Sequence, residues 1–560
     1  MKSLNFKRFF SKIDVNIIVI FIVSIIVMWP FVSCLYVRGH DSFYHYSNIF
    51  ALVNNVDISH FKFFPDKIVP IIAYDFGWGS GIFYPSFPQY ITLYIYEFFH
   101  IFGVDNIFTS MKICHFLTLF LSSLFMYILS KKLFKNKTAG LISAIIYMTF
   151  PYYYLDIFVR DALSETFLFV FLPILFLGLE YLLEKKYNKF YIYFIIGYVG
   201  CINSHLVLSI YITLFVIIYL LLNYKRVFNR ETIKKLFISS IYILLFVLPF
   251  LVPLIEHTIF GNYTVYADGI MYNKSFFKTP AVNLIDYFSF ERPLAWSGDL
   301  VFTISFPALL IIIIMALKFK NLAEYKFIYK YFICFILAII FMLPIFPWKY
   351  LPSFFISIQF LWRLNLFLVF FMSVCTGGII VCLKNKLNNF IIIIVLISSL
   401  FMMWSFKPMA IFEQIDVNQI DINEAGAASL QYIPVKSYKK LDFIKNRGND
   451  IIIETGKASI SNVKSKTPYL SFDIKTNGAV VEIPRYYFMG YKVTLNNKKI
   501  KYVENKNGLI EFKIKDDGKI VVKYEGTVWY KISCCITFLT LFVLIVLFIL
   551  AKFKVIETKK

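Results

Sequence analysis

The chain has 560 residues, of which 59% are hydrophobic and only 16% are charged. Soluble domains contain about 45–50% apolar and about 25% charged residues, so this composition excludes an ordinary soluble protein and predicts one that crosses a membrane many times. The net charge of +23 would also suit a nucleic-acid-binding protein. We exclude that class because the lysines and arginines are concentrated mainly in short segments between apolar runs, where they set membrane orientation and contact anionic lipid.

The first apolar run, residues 15–36, is long enough to cross a bilayer. Four basic residues between positions 2 and 12 predict that its amino-terminal side is cytoplasmic. The charged sequence Arg38-Gly39-His40-Asp41 follows the run and is therefore predicted on the outer face. Ionisable residues at a membrane boundary cost free energy, so their presence often indicates a function. Two interpretations of this stretch are open: an interfacial loop with aromatic anchors, or the catalytic loop of a membrane enzyme.

Apolar length and the positions of the basic residues predict a multi-pass cell-membrane protein of about twelve spans, with both termini cytoplasmic. The predicted spans are 15–36, 112–130, 139–155, 166–183, two short helices within 190–222, 236–254, 301–317, 331–345, 364–383, 390–405 and 529–550. The first run is too long for a cleaved signal peptide and is expected to be a retained anchor. Residues 37–108 are a predicted outer loop with a helix on the membrane surface near 89–102, and 256–300 is a second polar outer loop.

The pattern changes in residues 406–527, where apolar residues alternate with polar ones. Such alternation is typical of half-buried strands, and Asn-Gly and Asp-Gly pairs are typical of hairpin turns. These pairs occur at 477–478, 507–508 and 517–518. We predict a small β-sandwich on the extracellular side. The chain is thus divided into a transmembrane domain (1–405), the β-domain (406–527) and a last span with a basic tail (528–560).

The ionisable residues that do not set topology gather on the predicted outer side, in separate loops at one membrane level. They are Arg38, His40, Asp41, His45, Asp75, Arg160, Asp161, Glu165, His205, Glu256, His257, Asp299 and Arg363. We expect the helix bundle to bring them to one pocket. Carboxylates there could act as a general base or bind a divalent cation, and arginines are suited to holding phosphate. Asp41 with His40 is the strongest candidate, because both directly follow a glycine at the end of a span.

Several of these residues also have a structural interpretation. Arg160, Asp161 and Glu165 have the spacing of an ion pair on a helix. His205 suits a hydrogen-bonded residue at a helix break, and Arg363 suits an anchor at the lipid headgroups.

The order of several motifs along the chain resembles a family of membrane enzymes. The motifs are Gly39-His40-Asp41, Gly79-Ser80-Gly81-Ile82-Phe83-Tyr84-Pro85, Arg160-Asp161-Ala162-Leu163-Ser164-Glu165, Asn203-Ser204-His205, Gln359-Phe360-Leu361-Trp362-Arg363, Gln431-Tyr432-Ile433-Pro434 and Tyr486-Tyr487-Phe488-Met489-Gly490-Tyr491. Together they resemble the GT-C class of polytopic glycosyltransferases, and more specifically the membrane proteins called 6-pyruvoyl-tetrahydropterin-synthase-related and their YfhO-like relatives. The family pattern has glycine at the position of Asp161 and tryptophan at the position of Tyr491.

The resemblance implies transfer of a sugar from a polyprenyl-phosphate donor to a cell-envelope glycan or lipoteichoic acid on the outer face. Asp41 would then be the catalytic base or a ligand of a divalent cation, acting with His40. The implied substrate-binding residues are Arg38, Arg160, Asp161, Glu165, His205, Gln359 and Arg363. Two other hypotheses stay open: a transporter or flippase of a lipid-linked envelope precursor, which would have broken spans and charges near mid-membrane, and a non-catalytic assembly factor that binds through the β-domain.

Overall fold

A computed structural model describes residues 14–32, 36–37, 39–55, 64–266, 327–351, 360–382, 412–413 and 430–557, with isolated helical positions at 313, 393, 397 and 400–401. The chain divides into two compact units, each assembled from several segments. The first unit comprises Met1–Ser42, Phe99–Phe237 and Lys274–Ile415, and the second comprises Phe43–Phe98, Ile238–Asn273 and Asp416–Lys560.

Helices make up most of the described chain. They are α1 (Val15–Met28), α2 (Ser42–Asn55), α3 (Ser80–Phe83), α4 (Phe87–His100), α5 (Ile107–Phe134), α6 (Lys137–Thr149), α7 (Pro151–Phe158), α8 (Leu163–Leu183), α9 (Tyr187–Ser204), α10 (Leu206–Leu222), α11 (Tyr224–Val227), α12 (Arg230–Phe260), α13 (Ile328–Met342), α14 (Asn365–Cys382), α15 (Val435–Tyr438), α16 (Leu441–Arg447) and α17 (Val528–Glu557). Short 3-10 helices occupy Trp29–Val32, Thr264–Tyr266, Trp348–Tyr350 and Leu361–Leu364.

Five stretches of described helix are long and apolar enough to cross a membrane: α5, α8, α12, Leu361–Val381 and Val528–Leu547. The pair α6 and α7 forms a sixth candidate if it is one span, bent by 45° where Pro151 begins α7. A proline fits the first turn of a helix because its missing N–H is not needed there. The predicted spans 301–317 and 390–405 lie largely outside the described residues.

The core of the first unit surrounds α8, which is buried along nearly its whole length and packs against α5 and α9. Two glycines allow α8 and α9 to approach closely. A Cβ on Gly178 would lie 2.6 Å from the backbone nitrogen of Phe194, and one on Gly197 would lie 2.6 Å from that of Leu175. Small residues of this kind are common where apolar helices pack in membranes.

Lysines at the end of α5, at the start of α6 and just after α8 lie at one end of this unit, where Glu184 contacts both Lys132 and Lys186. Asp14 accepts hydrogen bonds from Lys131 Nζ at 2.9 Å and Tyr127 Oη at 2.6 Å, and lies 3.5 Å from Lys137 Nζ. The hydrogen bonds from Tyr127 and Lys131 hold the pKa of Asp14 well below its ordinary value. This is the end of the helices that the sequence predicts to be cytoplasmic.

The predicted break in the 190–222 run is confirmed. Helix α9 ends at Ser204, His205 has an extended backbone, and α10 begins at Leu206. Tyr198 Oη donates to Thr213 Oγ1 at 2.9 Å, so residues on either side of the break lie next to each other, as in a hairpin.

Two predictions about the outer loops have different outcomes. The surface helix expected near 89–102 is confirmed as a helix, α4. The loop expected to begin at Glu256 does not begin there, because α12 continues to Phe260 and contains both Glu256 and His257.

The second unit contains an antiparallel sheet. A separate two-residue pair, β1 (Tyr36–Val37) with β2 (Phe412–Glu413), belongs to the first unit. The strands of the large sheet are β3 (Ile452–Lys466), β4 (Tyr469–Tyr486), β5 (Tyr491–Leu495), β6 (Lys498–Ile500), β7 (Tyr502–Glu504), β8 (Leu509–Ile514) and β9 (Gly518–Tyr524). Their order is β6-β5-β9-β4-β8-β7, with β3 on the other edge of β4. All seven strands form one near-barrel sheet, whereas the sequence analysis predicted the two sheets of a sandwich.

The long strand β4 explains this shape. Its first half pairs with β9 (470–474) and its second half with β8 (479–483), while β3 pairs along most of its length. The predicted turn at Asn477-Gly478 is wrong: both residues lie inside β4, and Gly478 has φ +122°. The other two pairs do separate consecutive strands, β7 from β8 and β8 from β9.

Candidate functional site

The centre of the candidate site is Arg160, which lies between α7 and α8 and is almost completely buried. Its Nη1 donates hydrogen bonds to Asp156 Oδ1 at 2.6 Å and Glu165 Oε2 at 2.9 Å. Its Nη2 donates to Glu165 Oε1 at 2.8 Å and Asp41 Oδ2 at 3.2 Å. Glu165 is therefore held in the bidentate geometry that suits a guanidinium and a carboxylate. The guanidinium carbon also lies 4.4 Å from the centre of the Trp362 ring.

Local helix geometry places these groups. Asp156 lies in the last turn of α7 and Arg160 lies two residues beyond the end of that helix. Glu165 stands in the first turn of α8, where a carboxylate also favours the helix dipole. Burial alone would lower the pKa of Arg160, but Glu165 and Asp156 outweigh burial and raise that pKa well above its ordinary value. The guanidinium thus stays charged, which is necessary if the buried carboxylates are to be tolerated.

Asp41 is held against Arg160 by its backbone as well as by its side chain. The Asp41 N–H donates to the Arg160 carbonyl oxygen at 2.8 Å. Gly39 makes this approach possible, because a Cβ there would lie 2.5 Å from the Arg160 carbonyl carbon. The Gly39 N–H also donates to Ser42 Oγ at 2.7 Å, at the start of α2. The Asp41 side chain is 40% exposed and that of Arg160 is 3% exposed, so the cluster reaches the surface at Asp41.

Asp161 occupies an unusual backbone position. Its φ is +54°, in the left-handed region that glycine adopts most easily. The Asp161 side chain has a buried partner: its Oδ1 lies 2.7 Å from His115 Nε2, and both side chains are buried.

His115 is a site residue that the sequence analysis missed. It lies inside the long apolar helix α5 and stacks on Phe31, with ring centres 6.2 Å apart. Its Nδ1 is buried and has no hydrogen-bond partner among the described residues. The only signal in the sequence was a histidine within a predicted span, which by itself does not identify a partner.

Two further predicted residues lie at helix ends beside Glu165. Arg363 Nε lies 3.1 Å from Glu165 Oε1, and Arg363 stands in the short 3-10 helix Leu361–Leu364 that leads into α14. His205 accepts a hydrogen bond from the Leu208 N–H at 3.3 Å and so caps α10, as its structural interpretation predicted. It is also close enough for the charge of Glu165 to act on its imidazole.

The structure thus brings together the side chains of Asp41, Arg160, Glu165 and Arg363. His40 is exposed in the turn beside Asp41. Arg38, Gln359 and Asp299 lie outside the described residues, and their roles stay predictions.

Four members of the wider predicted set belong to the second unit, where each has a local contact. His45 contacts Gln89, Asp75 accepts from the Ile71 N–H, Glu256 accepts from Thr527, and His257 contacts the Pro253 carbonyl oxygen.

A metal role for Asp41 stays a prediction. Within the described ranges, no group of three or more histidine, cysteine, aspartate or glutamate side chains is arranged to hold a metal ion. The contact that the Asp41 carboxylate does make is to the positively charged Arg160, which competes with a cation for that carboxylate.

The fold defines a mostly helical protein with about five candidate membrane spans and a C-terminal near-barrel sheet. No family model matches the sequence. The chain is similar to an uncharacterized protein of Lactococcus lactis subsp. cremoris (strain MG1363), with 26% identity over 364 residues. The match covers 62% of this chain and 56% of that protein, so the chain spans little more than half the length of the relative it matches.

Proposed function

We propose that this protein is a membrane glycosyltransferase that moves a sugar from a polyprenyl-phosphate donor to an envelope glycan on the outer face of the membrane. The observation that supports this function is the half-exposed Asp41 carboxylate, fixed against a buried arginine that two further carboxylates hold in place. A general base needs both access to its substrate and a fixed orientation, and this arrangement supplies both.

Asp41 is the proposed general base. An arginine that pairs with a single carboxylate stabilises the ionised form of that carboxylate and so makes the carboxylate a weak base. Arg160 instead shares its charge among three carboxylates, and its 3.2 Å contact with Asp41 is the longest of its four hydrogen bonds. Asp41 takes the proton of an acceptor hydroxyl as that oxygen attacks the anomeric carbon of the donor. The new carbon–oxygen bond forms while the bond to the phosphate breaks, and polyprenyl phosphate leaves with the electron pair.

The two arginines have different proposed roles. Both terminal nitrogens of Arg160 already donate to carboxylates, so Arg160 is a positioning residue. Arg363 is the more accessible, with its side chain 12% exposed. Its planar guanidinium is suited to donating two hydrogen bonds to a phosphate, so we assign it the phosphate of the donor.

A transporter or flippase of a lipid-linked precursor is the second candidate. Two breaks in the helices favour it, the 45° bend between α6 and α7 and the interruption at His205. Broken helices often form transporter binding sites. Against it, all three charged residues stand near helix ends, whereas transporter sites lie near the middle of the membrane. Glu165 is in the first turn of α8, Arg160 lies between α7 and α8, and Arg363 is the third residue of the apolar stretch Leu361–Val381.

The test is the full-length Asp41→Asn variant in a strain that lacks the native gene. Asp105→Asn is the matched control, because Asp105 is exposed and contacts His100 rather than the Arg160 cluster. Removing a general base slows a reaction by about 10²–10⁴-fold. We expect mass spectrometry of the envelope polymers to show loss of the sugar in Asp41→Asn and normal glycosylation in the control. Normal glycosylation by Asp41→Asn at normal protein levels would contradict the proposal.

A second arm separates the enzyme from the transporter. The purified wild-type protein is incubated with polyprenyl-phosphate-linked hexoses and an envelope acceptor extracted from the deletion strain. Cleavage of the donor with transfer of the hexose supports the enzyme. Movement of intact donor across vesicles without cleavage supports the transporter.

A further inference from the structure

Three lysines surround one glutamate at the junction between the near-barrel sheet and α17. Glu525 lies 2.6 Å from Lys523 Nζ, 2.9 Å from Lys531 Nζ and 3.6 Å from Lys492 Nζ. The three lysines come from β9, α17 and β5 respectively. We call Lys492, Lys523 and Lys531 the junction lysines. Among the described residues, Glu525 is the carboxylate within 4 Å of these three ammonium groups, so the positive charges outnumber it by two, and Glu256 lies nearby on Thr527.

Sheet register forces two of these charges together. Lys492 and Lys523 are directly opposite each other in the antiparallel pair β5–β9, so their side chains leave the same face of the sheet. Like charges directly opposite each other destabilise a sheet. Glu525 offsets part of the repulsion, and a bound anion would offset the remainder.

The junction lysines also lie where exposed apolar surface begins. Thr527 caps α17 by accepting the Tyr530 N–H at 3.1 Å, and the helix starts at Val528. Val528 is 71% exposed and Trp529 is 65% exposed. The apolar stretch Val528–Leu547 that follows is only 11% buried, which leaves its surface to lipid if α17 crosses the membrane. Lys531, in the first turn, then stands at headgroup level beside a tryptophan, the residue typical of that interface.

We infer that the junction lysines bind the phosphate of an anionic phospholipid headgroup in the leaflet where α17 enters the membrane. Three ammonium groups on two strands and a helix can surround one phosphate, and lysines near a membrane surface each add to the attraction for anionic lipid. The acyl chains would lie along the exposed apolar side of α17. The site requires that α17 spans the membrane, but it does not depend on any catalytic role of Asp41.

The experiment uses the full chain in nanodiscs of phosphatidylcholine with increasing fractions of phosphatidylglycerol. Bound lipid is counted by native mass spectrometry after release. The test variant is Lys492→Gln/Lys523→Gln/Lys531→Gln. The matched control removes the same charge from the same domain by changing three exposed lysines around β6, namely Lys498→Gln/Lys499→Gln/Lys501→Gln.

We expect the test variant to lose about tenfold or more in preference for phosphatidylglycerol, while the control changes much less. Equal losses in the two variants would show a general charge effect and overturn the site. Displacement of the lipid by millimolar glycerol phosphate would show a site for a soluble phosphate and would overturn the lipid assignment.

Glu525→Gln tests the same site through an expected gain, rather than a loss, in phosphatidylglycerol binding. This variant leaves three lysines without their carboxylate, so phosphatidylglycerol should bind more tightly, and the gain should shrink as salt is raised. Unchanged or weaker binding would contradict a phosphate at these lysines.

Discussion

Substitutions at His115 and Asp161 can separate two opposing contributions to stability: the strain of the left-handed backbone at Asp161, and the buried hydrogen bond between the two side chains. Asp161→Gly relieves a left-handed backbone, worth about 1–2 kcal/mol, but the added freedom of glycine in the unfolded chain takes back about 0.5–1 kcal/mol of that gain. It also leaves His115 Nε2 buried without its partner, at a cost of about 1–3 kcal/mol. We therefore predict a net destabilisation of about 1 kcal/mol. His115→Leu should be worse, about 3–5 kcal/mol, because it leaves a buried carboxylate without its partner.

The double variant decides whether this account is correct. His115→Leu/Asp161→Gly removes both polar groups and the backbone strain, so it should lie within about 1 kcal/mol of the wild type. Additivity would instead place it below both single variants.

The four proteins are purified as full chains in one detergent and ranked by thermal unfolding, followed by tryptophan fluorescence. Lys185→Gly is the control for the strain alone, because Lys185 is exposed and has φ +56°. It should be stabilised by about 0.5–1 kcal/mol, which is the relief of the left-handed backbone less the cost of the added freedom of glycine in the unfolded chain. A double variant less stable than His115→Leu would refute the reasoning.

Three other substitutions test separate parts of the fold. Gly39→Ala should destabilise the protein by about 1–3 kcal/mol in thermal unfolding, because its Cβ would lie 2.5 Å from the Arg160 backbone. Asn497→Ala should destabilise the protein by about 1–2 kcal/mol in the same assay, because φ is +66° there and alanine adopts a left-handed backbone less readily than asparagine. Asn497→Gly should be close to neutral, because the easier backbone is offset by the greater freedom of glycine in the unfolded chain. Hydrogen bonds from two lysines lower the pKa of Glu525 to about 2. Its stabilisation should therefore be present above about pH 4.5 and be lost as the pH falls towards 2, and Glu525→Gln should remove that part of the acid dependence.

The helices were predictable because their signal is local. The apolar runs that predicted spans at 112–130 and 166–183 correspond to α5 and α8, with bounds that differ by five residues at most. A run of this length has few alternatives to a helix in lipid, since every backbone group must be paired within the segment. The break at His205 was also predictable from a local signal, because polar residues interrupt a continuous apolar run.

Contacts between residues that are distant in the sequence were harder to predict. The sequence analysis grouped Asp41 with Arg160, but not with Asp156, and it had no means of pairing His115 with Asp161. Such contacts depend on how helices pack, which apolar periodicity does not specify.

The turns show the same limit on a smaller scale. Asn477-Gly478 has the composition of a hairpin turn but lies within β4, while Asn496-Asn497, with φ values of +46° and +66°, makes the turn between β5 and β6. Asparagine tolerates the left-handed backbone that such a turn requires, so both pairs fit the local rule. Whether such a pair forms a hairpin turn depends on which strands pair on either side of it.

The length of β4 has a consequence for how the sheet assembles. Strands β3 and β4 can pair early in folding, starting from the tight connection between them, because this pairing needs little loop closure. The β7–β8 hairpin and the β5–β9 pair must then attach to opposite halves of a strand that is already in place. A chain cut within β4 would separate these halves and leave each with unsatisfied hydrogen-bonding edges, so neither fragment should persist in solution as a native-like piece.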